Sequence, residues 1–170
     1  MIETERLIIQ PLTYGQLIKY IRSDNSLETE LNLNVTSRAI SPELKDALEQ
    51  TILPNVADIS KNYLFSTLWT VILKAENKMV GDLCFVGEPN ADGEVEIGYG
   101  TYEEFRRRGF MKEAVRGMIG WAEKQPSVKS IVASTDKTNI ASSQVLEKNN
   151  FIKTGETDEF YKWKLGLRGY

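Results

Sequence analysis

Arg106-Arg107-Arg108-Gly109-Phe110-Met111 is the stretch of sequence that decides how this chain is interpreted. It follows residues 94–99, where apolar and polar residues alternate as in a strand, and it opens an amphipathic run that ends at Pro126. A strand that enters a helix in this way presents backbone N–H groups, the positive end of the helix dipole and cationic side chains together. Gly109 permits close approach of a ligand to the backbone. The segment therefore predicts a site for an anion such as a pyrophosphate.

Two other interpretations of the arginine segment are open. Arginines at a helix N-terminus oppose the helix dipole, so they either bind an anion or form a solvated turn paired with Glu103 and Glu104. Binding of nucleic acid is the third interpretation. It is disfavoured because the chain has 21 basic against 24 acidic residues and a net charge of -3, without aromatic residues interleaved among the basic ones. We expect no nucleic-acid partner.

The composition limits the remaining chemistry. A chain of 170 residues that is 41% apolar has the size of one domain, which we assign to residues 1–170. Because it has one cysteine and no histidine, neither a disulfide framework nor a histidine-based metal site or triad is expected. Cys84 lies in an apolar strand, which predicts a buried small side chain. Without a leader or a long apolar span, we expect a cytoplasmic protein that does not bind membranes.

The first half of the chain predicts a strand and two helical regions. A short strand at residues 7–9 precedes a helix that begins with a capping box, in which Thr13 is the N-cap and Gln16 the reciprocal residue. A second helical region starts at Ser41 and is expected to be kinked or broken at Pro54. Residues 23–40 predict no particular element.

The second half alternates strands and helices. Residues 68–73, 79–86 and 94–99 predict three successive strands, and a helix follows from Met111. A strand at 130–134, a helix at about 140–148 and strands near Phe151 and 160–165 complete the order. This order predicts an α/β (α+β mixed) fold with a mixed, mostly antiparallel sheet and helices on both faces.

The arginine segment also resembles the cofactor motif of the GNAT superfamily of acyl-CoA N-acyltransferases. That motif is Arg or Gln, two residues, Gly, one residue, then Gly or Ala, and here it begins at Arg106 and departs from the pattern at Met111. Glu96-Ile97-Gly98-Tyr99 resembles the fourth strand of the family, and residues 138–151 resemble its second cofactor segment. Glu3-Thr4-Glu5-Arg6-Leu7 resembles the first strand of the branch that contains the ribosomal-protein alanine N-acetyltransferases.

The resemblance implies a set of contacts to acetyl-CoA. In the family, two diverging strands leave a V-shaped slot for the pantetheine arm. Carried over, the backbone of Tyr99, Gly100 and Thr101 contacts that arm, and Arg106, Arg107, Arg108, Gly109, Phe110 and Met111 hold the pyrophosphate.

The acceptor amine must lose a proton before it attacks the thioester. Glu96 is the candidate base or water-linked base, because partial burial beside the thioester would raise the pKa of its carboxyl group. Glu94, two residues earlier on the same face, is the close competitor. Both glutamates are otherwise residues of a solvated strand face.

The departing thiolate needs a proton donor. Many relatives use a tyrosine at the position of Leu146, and a glycine at the position of Asn150. The ribosomal-alanine branch has an Asn-x-x-Ser pattern, which Asn139 and Ser142 match, so Asn139 would bind the pantetheine amide and Ser142 would protonate the sulfur. Asn139 is also suited to cap the following helix, with or without that role.

The leading hypothesis is transfer of an acetyl group from acetyl-CoA to a primary amine, on a protein N-terminus or a small molecule, by a monomer or homodimer. The alternative is a catalytically degenerate acyl-CoA sensor, which the leucine at 146 and Met111 motivate. Residues 23–65, where such enzymes shape the acceptor pocket, do not identify the acceptor.

Overall fold

The computed structural model describes residues 1–167 and contains one eight-stranded sheet in the order β1-β2-β3-β4-β5-β6-β8-β7. The strands are β1 (Ile2–Glu3), β2 (Leu7–Pro11), β3 (Trp69–Leu73), β4 (Lys78–Phe85), β5 (Glu94–Thr101), β6 (Ser130–Asp136), β7 (Ile152–Glu156) and β8 (Phe160–Gly166). The helices are α1 (Tyr14–Arg22), α2 (Ser26–Glu30), α3 (Pro42–Ala47), α4 (Leu53–Ala57), α5 (Phe110–Glu123) and α6 (Ile140–Lys148). None of the helices in this part of the chain is long and apolar enough to cross a bilayer.

Strands β5 and β6 form the parallel pair of an otherwise antiparallel sheet. Their pairing starts at Glu94 opposite Ser130 and ends at Glu96 opposite Val132. Beyond that point β5 stays paired with β4 up to Thr101, and β6 stays paired with β8. The two strands therefore diverge and leave a slot between them.

Each face of the sheet is covered by its own group of helices. One apolar cluster contains Val95 and Ile97 of β5 together with buried residues of α5 and Leu146 of α6. The other contains Leu17 and Tyr20 of α1 and residues of the α3–α4 region, packed on the opposite side of the sheet. The predicted mixed, mostly antiparallel sheet with helices on both faces is confirmed.

The helix starts follow the signals in the sequence. Thr13 accepts from the backbone N–H of Gln16, and the Gln16 side chain accepts from the Thr13 N–H, so the predicted capping box is present. Ser41 caps α3 in the same way by accepting from the N–H of Leu44. These caps satisfy N–H groups that have no partner within the helix.

Two features of the first half differ from expectation. The helical region passes through Pro54 without ending there, because a π-helical turn at Leu48–Ile52 joins α3 to α4. Proline lacks an N–H and its ring clashes with the carbonyl four residues earlier, and the wider turn accommodates both effects. Helix α2 lies in the segment 23–40, which predicted no element; it spans only five residues, too few for a clear periodicity.

Gly81 on β4 is required by the close approach of β5 and α5. A Cβ atom at this position would lie 2.5 Å from the carbonyl oxygen of Gly100 and 3.2 Å from Cε of Met111. The first contact is with backbone, so it cannot be relieved by a change of rotamer. The absence of a side chain at Gly81 therefore makes room for Met111.

We expect Gly81→Ala to lower the free energy of unfolding by about 1–3 kcal/mol, because overpacking at this contact must separate β4 from β5. Gly120→Ala is the matched control: a Cβ there meets nothing within 4 Å, and alanine favours the helix by roughly 0.5–1 kcal/mol. Urea unfolding of the three proteins measures both effects. Equal stability of Gly81→Ala and the unmodified protein would show that the strands do not approach as described.

Candidate active site

The connection from β5 to α5 leaves the N-terminus of α5 open. After a short 3₁₀ turn at Glu103–Phe105, Arg107 and Gly109 adopt the left-handed region, with φ of 65° and 79°. Gly109 is the N-cap residue, and no side chain in the described part of the chain caps this helix. The first-turn N–H groups and the positive end of a 14-residue helix are thus available to an anion.

The three arginines of this connection are exposed. Nε of Arg106 donates to the carbonyl oxygen of Thr101 at 3.2 Å, and Arg108 forms an ion pair with Glu76 at 3.3 Å. Within residues 1–167, no ion pair joins these arginines to Glu103 or Glu104. The interpretation of the segment as a basic turn paired with those glutamates is therefore wrong.

Arg6 also shapes this helix end and was not recognised as a site residue from the sequence. Its Nη1 donates to the carbonyl oxygen of Arg108 at 3.0 Å, and its Nε forms an ion pair with Glu113 at 2.8 Å. The guanidinium carbons of Arg6 and Arg108 each lie 4.7 Å from the ring centroid of Phe110. The Glu3–Leu7 similarity marked this segment, but the partner Glu113 is 107 residues away along the chain.

Phe110 and Met111 enter the site through their backbone only, because their side chains are 3% and 5% exposed and belong to the core. Met111 extends towards Gly81, as described above. The large residue at the last motif position is thus accommodated inside the protein, away from the helix end.

The slot between β5 and β6 is lined by alternate backbone groups of β5. The Val86 N–H donates to the Glu96 carbonyl, and the Tyr102 N–H donates to the Val80 carbonyl. Because residues of an antiparallel strand alternate in the direction of their N–H and C=O groups, those of Tyr99 and Thr101 face the slot and those of Gly100 face β4. The expected backbone contact therefore fits Tyr99 and Thr101 but not Gly100, whose contribution is the absence of a side chain.

Helix α6 begins at the same slot. Asn139 is its N-cap, and Oδ1 of Asn139 accepts from the N–H of Ser142 at 3.0 Å, which confirms the capping role. The Tyr99 hydroxyl donates to the carbonyl oxygen of Ser142 at 2.7 Å. The Ser142 hydroxyl in turn donates to the Tyr99 hydroxyl oxygen at 3.1 Å. Burial raises the pKa of Tyr99 to about 12, so the phenol keeps its proton at neutral pH. The sequence did not predict that the Tyr99 side chain meets Ser142.

The two remaining departures from the family pattern have a structural explanation. Leu146 is fully buried against α5 and the sheet, so this position is part of the core. Asn150 has φ of 68°, in the left-handed region where glycine is favoured and asparagine is the next most tolerant residue.

The glutamates of β5 differ in their surroundings. Glu94 is half-buried and pairs with Lys164 at 3.1 Å, while Glu96 is exposed. The expected partial burial of Glu96 is therefore wrong, because its side chain is exposed to solvent. Between Glu96 and the end of β5 lie Gly98 and Gly100, which carry no side chain. On β4, burial raises the pKa of the Cys84 thiol to about 12, in agreement with an unreactive side chain.

A buried polar cluster lies on the same face as Cys84, and sequence reasoning missed it. Asp82 of β4 accepts through Oδ2 from the Tyr20 hydroxyl at 2.5 Å and from the Tyr102 hydroxyl at 2.8 Å. Arg38 donates to the Tyr20 carbonyl at 3.0 Å and pairs with Glu28 at 2.6 Å. These residues come from four distant parts of the chain, and none stands in a recognisable spacing.

Comparison with known proteins agrees with this geometry. The model of the acetyltransferase (GNAT) domain matches residues 6–152, and the chain belongs to this family. The uncharacterized N-acetyltransferase YjdG of Bacillus subtilis (strain 168) is 26% identical over 166 residues, which is 96% of each chain.

Two solved structures have the same fold at low sequence identity. The ribosomal-protein-S5-alanine acetyltransferase of Vibrio fischeri superposes with a TM-score of 0.71, at 18% identity over 99% of this chain and 97% of its own. The spermidine N-acetyltransferase of Vibrio cholerae, in complex with CoA and spermine, superposes with a TM-score of 0.66, at 12% identity over 96% of this chain and 97% of its own. The two relatives are named for different kinds of amine, so the fold does not identify the acceptor.

Proposed function

We propose that this protein transfers the acetyl group of acetyl-CoA to a primary amine, on a protein N-terminus or a small molecule. The observation that carries the proposal is the uncapped N-terminus of α5, with three exposed arginines, at the open end of the slot between β5 and β6. An anionic pyrophosphate fits this helix end, and an extended arm fits between strands whose facing backbone groups have no strand partner. Bound acetyl-CoA would supply an acyl group activated as a thioester.

Different groups of this chain would bind the cofactor and accept the amine's proton. The N–H groups at Gly109, Phe110 and Met111, with Arg106, Arg107 and Arg108, hold the pyrophosphate. The backbone of Tyr99 and Thr101 and the free amide nitrogen of Asn139 bind the pantetheine arm. Glu96, exposed on the face opposite α5, acts as a water-linked base that passes the amine's proton to solvent.

Ser142 is the proposed donor of a proton to the departing thiolate. Its hydroxyl donates to the Tyr99 hydroxyl, whose own proton is directed to the Ser142 carbonyl, so the two hydroxyls form a hydrogen-bonded pair at the slot. The pair stands where the start of α6 meets β5. It supplies a donor on a helix in which Leu146 has no exchangeable proton.

The direct test is thiol release from acetyl-CoA in the presence of a panel of primary amines and N-terminal peptides. Release that depends on the amine, with an acetylated product of the expected mass, supports acetyl transfer. The buried Leu146 favours one other function, an acyl-CoA sensor. Stabilisation by CoA without turnover on any amine supports the sensor and contradicts the transferase.

We expect the double variant Arg106→Ala, Arg107→Ala to weaken CoA binding by roughly tenfold or more, because two charge-assisted contacts to the anion are lost. Its stability without CoA is expected to change little, since both side chains are exposed. Isothermal titration with CoA measures the affinity. The double variant Arg22→Ala, Arg116→Ala removes the same charge from exposed helix positions and is the control. Equal loss of CoA affinity in both double variants would contradict a specific pyrophosphate site at Arg106 and Arg107.

We expect Ser142→Ala to lower kcat about 10²-fold or more while the KM for acetyl-CoA changes little, because the proton donor acts on the leaving group. Ser143→Ala, at the neighbouring position where the hydroxyl bonds Thr135 at 3.0 Å, controls for a loss of helix structure. Tyr99→Phe separates the two members of the pair. A larger loss of kcat in Tyr99→Phe than in Ser142→Ala would assign the proton to the tyrosine instead.

A further inference from the structure

Within the described residues 1–167, one carboxylate oxygen of Asp82 has no hydrogen-bond partner. Its side chain is 7% exposed, and Oδ2 takes both tyrosine hydroxyls, while Oδ1 is buried without a hydrogen bond. Thr70 is directly opposite Asp82 on β3, and its hydroxyl is also buried without a partner. Leaving polar atoms unpaired inside a protein is unfavourable unless another group binds them.

Open space lies over the two glycines of β5 that pair with Asp82 and Cys84 of β4. Asp82 is paired in register with Gly100, and Cys84 with Gly98, so the missing glycine side chains would lie beside those of Asp82 and Cys84 on one face. A Cβ atom at Gly100 would meet nothing within 4 Å, and one at Gly98 would meet only the Cys84 sulfur, at 3.9 Å. The two glycines thus form the floor of an open groove beside Asp82.

The groove lies where an acceptor amine has to arrive. Gly100 stands between Tyr99 and Thr101, whose backbone groups face the slot proposed for the thioester arm. Helices α5 and α6 cover the opposite face of β5, and the N-terminus of α5 is assigned to the pyrophosphate. The face that carries Asp82 therefore remains for the acceptor.

The charges around Asp82 leave a cation to be supplied. Arg38 lies with its guanidinium 4.5 Å from the Tyr20 ring centroid, but its ion pair is with Glu28, and both partners are at most 2% exposed. The remaining ionisable groups facing Asp82 are the phenols of Tyr20 and Tyr102 and the Cys84 thiol, all with pKa values raised by burial. The cluster therefore carries one more negative than positive charge when Asp82 is ionised.

We propose that Asp82 is the group that receives the ammonium form of the acceptor and takes up its proton on Oδ1. This inference rests on the proposed function and assigns a residue to it that lies outside the family motifs found in the sequence. Glu96, further along the same face, then remains the exposed carboxylate that exchanges protons with solvent.

The step balances without another reagent. One N–H bond of the ammonium breaks and its proton moves to Oδ1, which leaves a neutral Asp82 and a neutral amine. The amine nitrogen forms the C–N bond as the C–S bond of the thioester breaks, and the second proton on that nitrogen passes through Glu96 to solvent. The thiolate takes its proton from the Ser142 and Tyr99 pair, which regains one from water. Asp82 returns its proton to water before the next turnover.

The position of Asp82 also suits proton uptake near neutral pH. Burial raises the pKa of its carboxyl group to about 6, although the hydrogen bonds from Tyr20 and Tyr102 and the charge of Arg38 oppose that rise. A base must be ionised, so kcat/KM for the amine is expected to fall as the pH drops through about 6. Removing a phenol that stabilises the carboxylate raises its pKa further and moves this limb to higher pH.

The experiment is the pH dependence of kcat/KM for the best amine of the panel at saturating acetyl-CoA. We expect Asp82→Asn to lower kcat/KM about 10²-fold or more and to remove the acid limb, with CoA affinity unchanged. Tyr102→Phe is expected to keep the limb and shift it to higher pH. Asp158→Asn, which removes an exposed carboxylate between β7 and β8, is the control and is expected to keep both rate and limb.

The outcomes separate this inference from the proposed function. Retention of the acid limb in Asp82→Asn together with its loss in Glu96→Gln would overturn the role of Asp82 and leave the transferase intact. An unshifted limb in Tyr102→Phe also counts against it, because a purely structural aspartate would not respond in this way. Failure of the unmodified protein to release thiol with any amine would instead contradict the proposed function. Thermal unfolding and CoA titration of each variant exclude a loss of folding as the cause.

Discussion

The site depends on the divergence of β5 from β6 after Glu96. Up to that residue the two strands exchange backbone hydrogen bonds, and beyond it each is held only on its far side, by β4 and by β8. Backbone groups of Tyr99 and Thr101 are left without a strand partner. Such groups are usually satisfied in a folded protein, and in the proposed complex the pantetheine arm would be their partner.

The divergence also arranges the groups on either side of the slot. It makes room for α6 to begin beside β5, where Tyr99 bonds the first turn of the helix at Ser142. It also directs the end of β5 into the connection that opens α5, where Arg6 and Glu113 fix the backbone of Arg108. The proposed pyrophosphate site at the start of α5 and the proposed proton donor are therefore both positioned by the divergence of β5 from β6. On β4, the absence of a side chain at Gly81 leaves the space that the Met111 side chain of α5 occupies.

Local signals in the sequence predicted much of the fold. The capping box at Thr13, the proline after Ser41 and the alternation in residues 94–99 act over a few residues, and the elements they predicted are present. The helical region is not broken at Pro54, and the π-helical turn that ends just before it, at Ile52, has no local signal of its own in the sequence. The five-residue helix α2 is too short to generate a period.

The sequence suggests residues for a cofactor site, and it suggests none for the acceptor. The arginine segment and the Asn139-x-x-Ser142 pattern each lie within a few consecutive residues, so both can be identified from the sequence without a structure. The exposure of Glu96 was misjudged, because it depends on which helices cover the sheet. The Asp82 cluster joins β4, α1, the end of β5 and the segment around Arg38. These residues come together only in the folded chain, so no local sequence pattern predicts the cluster.

A crystal structure of the protein with bound CoA would show directly whether the slot between β5 and β6 holds the cofactor. The pyrophosphate is expected to accept hydrogen bonds from the N–H groups at the start of α5, and the pantetheine arm is expected to lie between β5 and β6 along Tyr99 and Thr101. The sulfur should then lie near the Ser142 hydroxyl. A CoA molecule bound elsewhere, with the slot closed and the N-terminus of α5 in contact only with solvent, would contradict this placement.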